Sequence, residues 1–286
     1  MTHMLFFGFG YSAKVLAARL STEGWTISAT SRSDHGFAEI ESHGYRSLQF
    51  GSLNSRDLDG VTHIVISAPP GETGDPVLAS HGEILRARAH QVCWLGYLST
   101  TGVYGDHGGG WVNESSPLTP NTDRGARRLA AERQWLGLHR EHALPVHMFR
   151  LAGIYGPGRN QLLTVRDGTA RRIVKPGQIF SRIHVDDIAN VLEASIAKPN
   201  PGAAYNVCDG EPCPPQEVIA YAAQLLGLPL PPEIPFADAQ LTAMARSFYT
   251  DSKRVSNARI TGELGVRLAY PSYREGLAAL LEQLKS

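Results

Sequence analysis

The chain has 286 residues, enough to bury a large core and to form one α/β domain with a smaller lobe. Its 27 basic and 27 acidic residues give a formal net charge of zero, which gives no support to nucleic-acid binding. The three cysteines are scattered, and no apolar run approaches the roughly 18 residues of a membrane span. We therefore expect a cytoplasmic protein with a small-molecule ligand and without a metal site, a membrane or nucleic acid as partner.

The N-terminal stretch predicts a strand, a glycine-rich turn and a helix. The apolar run over residues 4–7 breaks at two glycines and passes into a helical pattern, with the spacing G-x-G-x-x-A. Gly8 permits a tight turn, Gly10 leaves room for a pyrophosphate, and the small Ala13 lets the helix pack closely on the sheet. Because N–H groups at a helix start attract phosphate, this turn is predicted to bind a dinucleotide through Gly8, Gly10, Tyr11, Ser12 and Ala13.

The second predicted strand ends in Ser31-Arg32-Ser33. NAD-binding turns usually carry an acidic residue here for the ribose 2′-hydroxyl, whereas an arginine accommodates the 2′-phosphate of NADP. The arginine flanked by two hydroxyls therefore favours NADP, with NAD as the alternative. The other interpretation is that Arg32 is a solvated side chain at a strand end.

Strands and helices alternate over the next hundred residues without internal repeats. The fourth strand ends at Ala68-Pro69, and ligands bind at the carboxyl ends of parallel strands, so these two residues are further candidates for the cofactor site. The pattern predicts an α/β fold with a doubly wound parallel sheet of the Rossmann type. The predicted elements are helices over 34–44, 76–89 and 125–141 and strands over 45–50, 61–68, 92–98 and 146–151.

Beyond Gly156 proline and glycine become frequent and the elements become shorter. We expect a Rossmann domain over residues 1–155 and a smaller, partly discontinuous α+β substrate lobe over 156–286. A helix over 185–197 and a strand over 204–208 lie within a segment, about 183–208, that returns to the main sheet.

Five motifs in order resemble the extended short-chain dehydrogenases/reductases of the NAD-dependent epimerase/dehydratase group, and among them the atypical members with a G-x-G-x-x-A turn. The resemblance runs nearly from end to end. Besides the first turn, it rests on L-S-T-T-G-V-Y-G at 98–105, R-L-A-G-I-Y-G-P-G at 150–158, I-H-V-D-D-I-A at 183–189 and Y-N-V-C-D-G-E-P at 205–212.

The resemblance implies a Ser or Thr at the position of Thr100 and a Tyr-x-x-x-Lys pair on the following helix, where the tyrosine exchanges a proton with the substrate. Here the tyrosine position is Arg124 and the lysine position is Arg128, and no tyrosine occurs between Tyr104 and Tyr155. An arginine stays protonated and cannot act as a general acid and base, although Arg128 can still place positive charge beside a ribose. Two arginines on one helical face form either a clamp for a substrate phosphate or carboxylate, or a solvated basic stripe.

Several other polar residues are further candidates for the functional site. Tyr104, Asp106 and His107 follow the Thr100 strand and are either proton-transfer groups of a rearranged loop or structural residues. His184 precedes Asp186 and resembles a packing and helix-start motif. A group of basic residues makes the second lobe locally cationic, consistent with an anionic ligand: Arg159, Arg171, Arg172, Lys175 and Arg182.

The sequence therefore predicts an NAD(P)-binding protein similar to epimerases, dehydratases and reductases, with Thr100, Arg124 and Arg128 at the catalytic positions. Its expected substrate is an anionic small molecule, nucleotide-linked or phosphate-linked. The alternative is a non-catalytic NADP-binding redox or metabolite sensor. The resemblance also suggests a homodimer through the helices over 76–89 and 125–141.

Overall fold

The computed structural model describes residues 2–285. The strands are β1 (His3–Phe7), β2 (Thr26–Ser31), β3 (Arg46–Gln49), β4 (His63–Ile66), β5 (Trp94–Thr100), β6 (Trp111–Val112), β7 (Val146–Leu151), β8 (Gly153–Tyr155), β9 (Arg172–Val174), β10 (Arg182–His184), β11 (Ala204–Val207), β12 (Glu233–Pro235) and β13 (Arg254–Val255). The helices are α1 (Tyr11–Thr22), α2 (Asp34–Ser42), α3 (Pro76–Ala87), α4 (Asp123–His142), α5 (Gln161–Arg166), α6 (Val185–Ala197), α7 (Pro215–Leu226), α8 (Ala243–Ser247), α9 (Ala258–Gly262) and α10 (Tyr273–Lys285).

The central sheet has seven strands in the order β11-β7-β5-β4-β1-β2-β3. β1 pairs in parallel with both β2 and β4, β2 pairs with β3, and β4 pairs with β5. The chain moves outward from β1 to β3 and then returns to place β4 on the other side of β1, so the strand order reverses between β1 and β4. This confirms the doubly wound parallel fold, and it places the turns after β1 and β4 where such sheets bind ligands.

The chain divides into two compact units. Unit 1 comprises Met1–Thr100, Ala126–Arg150 and Leu192–Tyr205, and unit 2 comprises Thr101–Gly125, Leu151–Val191 and Asn206–Ser286. The core of unit 1 packs the central strands against α3 and α4. Its fully buried members include Leu5, Phe7, Ile64, Ile66, Leu95, Trp135 and Met148.

Unit 2 contains three two-stranded parallel pairs, namely β8 with β10, β9 with β12, and β6 with β13. Its core packs α5, α7 and α10 together around Leu162, Val218, Tyr273 and Leu277. The short elements agree with the frequent glycines and prolines that distinguish this part of the sequence.

Within residues 2–285, no helix has both the length and the apolar character needed to cross a membrane.

Candidate nucleotide-binding site and catalytic positions

The turn after β1 requires glycine at its first position. Gly8 has a φ of +88°, and a Cβ atom there would lie 2.9 Å from the Ser67 Oγ and 3.3 Å from the backbone nitrogen of Ala68. The Gly8 N–H donates to the Thr30 Oγ1 at 3.0 Å, and the Ser67 hydroxyl donates to the Gly8 carbonyl at 2.9 Å. The ends of β2 and β4 therefore hold this turn in a left-handed conformation that a side chain would strain.

Gly10 differs from Gly8, since the protein itself does not require a glycine there. It is the N-cap of α1 with a φ of −86°, it is exposed, and a Cβ atom at this position would have no neighbour within 4 Å. No side chain caps the helix at Gly10, and the small Ala13 is buried one turn further on. The helix thus begins in an open space with its backbone dipole directed outward, as a bound phosphate requires.

The three residues at the end of β2, Ser31 to Ser33, have two different roles. The Ser31 hydroxyl accepts from the Ser33 N–H at 3.2 Å, and the Ser33 hydroxyl accepts from the Gly36 N–H at 3.2 Å and so caps α2. Arg32 is exposed, and its guanidinium carbon lies 4.4 Å from the centroid of the Phe50 ring. The serines therefore shape the turn, while the arginine presents its charge at the carboxyl edge of the sheet.

The segment after β4 lies directly against the glycine turn. The N–H groups of Ser67 and Ala68 both donate to the Phe7 carbonyl, at 3.0 and 3.1 Å. Ala68 is half-buried and Pro69 is exposed. The structure thereby brings together the two segments that the sequence predicts for the cofactor, at the point where the strand order reverses.

Arg128 binds the end of β5. Its Nη1 donates to the Leu98 carbonyl at 2.9 Å and to the Tyr97 hydroxyl at 3.2 Å. Tyr97 is fully buried, and this burial raises the pKa of its phenol well above the usual range despite the neighbouring guanidinium. Tyr97 therefore stays protonated near neutral pH, and Arg128 places a half-buried cation near the carboxyl end of the strand that terminates at Thr100.

The sequence did not predict a buried ionic network on α4, the helix that carries Arg128. Arg150 on β7 donates to both carboxylate oxygens of Glu132 on α4, from Nη2 at 2.9 Å and from Nε at 3.2 Å, and the Ser99 hydroxyl donates to the same carboxylate. Glu132 and Arg150 are 1% and 4% exposed. The network joins α4 to β5 and β7. The signal in the sequence was two oppositely charged residues beside apolar ones, Glu132 in L-A-A-E and Arg150 in M-F-R-L.

Arg124 has different surroundings. Its guanidinium carbon lies 4.5 Å from the centroid of the Phe248 ring, and both side chains are exposed. The two arginines of the predicted clamp lie on one helix, α4, as the spacing indicates. Their contacts differ, because Arg128 binds a strand end in unit 1 and Arg124 stacks on an aromatic ring in unit 2. Their joint binding of an anion stays a prediction.

The alternative proton-transfer residues have structural contacts. Tyr104 is fully buried and its hydroxyl donates to the Asn206 Oδ1 at 2.7 Å. The Asp106 carboxylate accepts from the N–H groups of Ser252 and Gly108, and the first of these bonds is the main cause of its lowered pKa. These contacts favour the structural interpretation of this loop.

His184 and most of the basic residues of the second lobe also bind within unit 2. The His184 Nδ1 accepts from the Asp186 N–H at 3.2 Å at the start of α6, which agrees with a helix-start role. The lobe's basic side chains bind as follows: Arg171 to the carbonyls of Gly168 and Ala170, Arg172 to Glu233, Lys175 to the Tyr249 carbonyl, and Arg182 to the Phe180 carbonyl and Cys213.

Residues 83–208 match the family described as NAD dependent epimerase/dehydratase. A solved structure of a functionally unknown conserved protein from Silicibacter pomeroyi DSS is 56% identical, with a TM-score of 0.93 and full coverage of both chains. Protein YeeZ of Escherichia coli K12 is 28% identical over 92% of this chain and 94% of its own length.

The dTDP-glucose 4,6-dehydratase of Bacillus anthracis, solved in complex with NAD, has a TM-score of 0.81 at 18% identity. It covers the whole of this chain and 97% of its own. The likeness at this identity concerns the fold.

Proposed function

Because residues 83–208 match the NAD-dependent epimerase/dehydratase family, we propose that unit 1 binds a nicotinamide dinucleotide, NADP in preference to NAD, and that the protein acts on an anionic small molecule. The observation that carries the nucleotide is the open space at Gly10, where the protein keeps a glycine that neither its backbone conformation nor its packing requires. The proposal of NADP rests on the exposed Arg32.

The residues of unit 1 fit such a cofactor. The start of α1 at Gly10 would hold the pyrophosphate, Arg32 would bind the ribose 2′-phosphate, and Ala68 with Pro69 would line the space beside the turn. The nicotinamide of a bound cofactor supplies reversible hydride transfer.

The chain's own residues restrict the chemistry beside that cofactor. Arg128, bound to the Leu98 carbonyl, supplies a fixed positive charge at the end of β5, and Thr100 supplies a hydroxyl that orients a ligand. Neither Arg124 nor Arg128 replaces the tyrosine as a proton donor, since a guanidinium stays protonated in proteins. We propose that both arginines act through charge and that α4 contributes no general acid.

The proposed lack of a general acid on α4 also favours a second function. The phenols near these positions, Tyr97 and Tyr104, are fully buried and hydrogen-bonded, so neither replaces the missing tyrosine. A protein that keeps the nucleotide pocket without a proton donor would act as a non-catalytic redox or metabolite sensor.

The cofactor is tested by titrating NADP and NAD into the native protein and into Arg32→Ala, followed by calorimetry. Loss of one charge-assisted contact of about 1.5–3 kcal/mol weakens NADP about 10- to 100-fold and leaves NAD unchanged. Arg133→Ala, which removes an exposed arginine from α4, is the matched control. Equal affinity of the native protein for NADP and NAD would refute the preference.

Turnover separates the enzyme from the sensor. We expect NADPH oxidation or NADP reduction with at least one member of a panel of anionic sugars, aldehydes and ketones. If the native protein turns over none of them, while Arg124→Tyr combined with Arg128→Lys restores activity, the sensor is the better description.

A homodimer through α3 and α4 is part of the proposal. Light scattering of the purified protein tests it.

A further inference from the structure

Arg124 and Phe248 form an exposed pair on unit 2. The guanidinium lies over the ring at 4.5 Å, and Phe248 remains 48% exposed. Within residues 2–285 Arg124 makes this stacking contact and has neither a hydrogen bond nor an ion pair. The ring therefore lies next to the guanidinium carbon, while the guanidinium N–H groups have no acceptor in the described part of the chain.

The segment that carries Phe248 is anchored at the two residues that follow the ring. The Lys175 ammonium donates to the carbonyl of Tyr249, and the Asn121 amide donates to the carbonyl of Thr250 at 3.4 Å. The Tyr249 ring packs against Phe236 and Phe180, with centroids 5.1 and 5.5 Å away. Phe248 thus has a defined position, and the guanidinium stacked on it loses little conformational freedom when it binds a partner.

Two neighbouring cations, Arg246 and Lys175, already bind backbone carbonyls. The Arg246 Nη2 donates to the Ala239 carbonyl at 3.0 Å, and Lys175 serves the backbone of Tyr249. Arg124 therefore offers a single positive charge, which balances the one charge of a carboxylate but only part of the charge of a phosphate dianion.

Apolar surface lies beside this guanidinium. Met244 precedes Phe248 by one helical turn and is 67% exposed, so the two side chains share a face of the α8 segment. Exposed large apolar groups next to a charge fit a ligand with both an organic body and an anionic end.

We infer that Arg124, held over the Phe248 ring, binds the carboxylate of an organic ligand through its guanidinium N–H groups, while the body of the ligand rests on Phe248 and Met244. The inference deepens the proposed function and rests on it in one respect, because it takes this carboxylate compound as the anionic substrate. Arg124 then determines substrate specificity at a position where the resembling family has its proton-exchanging tyrosine.

The test measures modification of Arg124 by phenylglyoxal in the full-length native protein, with peptide mapping by mass spectrometry. Phenylacetate is the probe, inorganic phosphate and sodium chloride at equal ionic strength are the comparisons, and Arg133 on the same helix is the internal control. We expect phenylacetate to slow the modification of Arg124 selectively. In Phe248→Leu the protection should need an about two- to fivefold higher concentration, because an exposed cation–π contact contributes about 0.5–1 kcal/mol.

Equal slowing by chloride or phosphate, equal slowing at Arg133, or unchanged protection in Phe248→Leu would each overturn the inference. Phe248 is exposed, so Phe248→Leu should fold, and its thermal unfolding checks this directly. The experiment contains no nucleotide. If NADP fails to bind the native protein, the proposed function is contradicted. If phenylacetate fails to protect Arg124 in the native protein, only the carboxylate site is contradicted.

Discussion

Replacing Gly10 with alanine should remove nucleotide binding and leave the fold intact. The φ of −86° is accessible to alanine, and the added methyl group would meet nothing within 4 Å. The expected loss of stability is about 0.5–1 kcal/mol, because alanine is a poorer N-cap than glycine. In a chain of 286 residues that corresponds to a melting temperature lower by roughly 1–2 °C.

The effect on binding should be much larger. A methyl group at the start of α1 would occupy the space proposed for the pyrophosphate and disturb at least one charge-assisted hydrogen bond of about 1.5–3 kcal/mol. We therefore expect the Kd for NADP to rise about 10- to 100-fold or more. Calorimetric titration and thermal unfolding of the same preparation measure both quantities.

Alanine variants at two other glycines serve as controls. Gly262→Ala also places a methyl group in open space, but at the end of α9, and it should leave NADP binding unchanged. Gly8→Ala should instead lower stability by about 1–3 kcal/mol, because alanine would be strained at a φ of +88° and would crowd Ser67. A Gly10→Ala protein that binds NADP within twofold of the native affinity would refute the placement of the phosphate.

Two further predictions concern buried charges. Burial raises the pKa of Asp209 to about 7, and its Oδ2 has no hydrogen-bond partner among residues 2–285, so this carboxyl group leaves the folded protein most stable below about pH 4, and that stability is lost as the pH rises through 7. Asp209→Asn should raise the urea midpoint at pH 8 by an amount equivalent to at most about 4 kcal/mol, with little change at pH 4. An equal shift at both pH values would contradict the reasoning. Glu132→Ala leaves the Arg150 guanidinium buried without its carboxylate and should lower the free energy of unfolding in urea by about 3–5 kcal/mol. The control Glu141→Ala, on the exposed face of α4, should lower it by less than about 0.5 kcal/mol, and similar losses in the two variants would contradict a structural role for the network.

The two arginines of α4 show how one sequence pattern can separate into two structural roles. Arg128 holds a cation at the end of β5 through the Leu98 carbonyl, and our proposal places it at the position of the family's lysine. The same proposal places Arg124 at the position of the family's tyrosine, where a guanidinium can bind a ligand but cannot exchange a proton with it. The proposed enzyme and the proposed sensor differ in whether a proton donor exists elsewhere.

The sequence by itself determined the elements and the glycine turn. The strand over 146–151 and the helix over 185–197 have the predicted bounds, and other elements differ by a few residues at their ends. These features follow from hydrophobic periodicity and from the conformations of glycine, both of which act over a few neighbouring residues. The tight turn at Gly8 was therefore readable from the sequence, and the role of Gly10 beside a phosphate stays a prediction.

Only the tertiary structure decided which partners the charged side chains take. Arg128 binds β5, Arg150 pairs with Glu132, and Arg124 stacks on Phe248, each across a long separation in the sequence. A guanidinium has five donors and accepts many partners, so its spacing along a helix does not specify which carbonyl, carboxylate or ring will meet it. That choice depends on how the sheet and the later segments bring distant residues together.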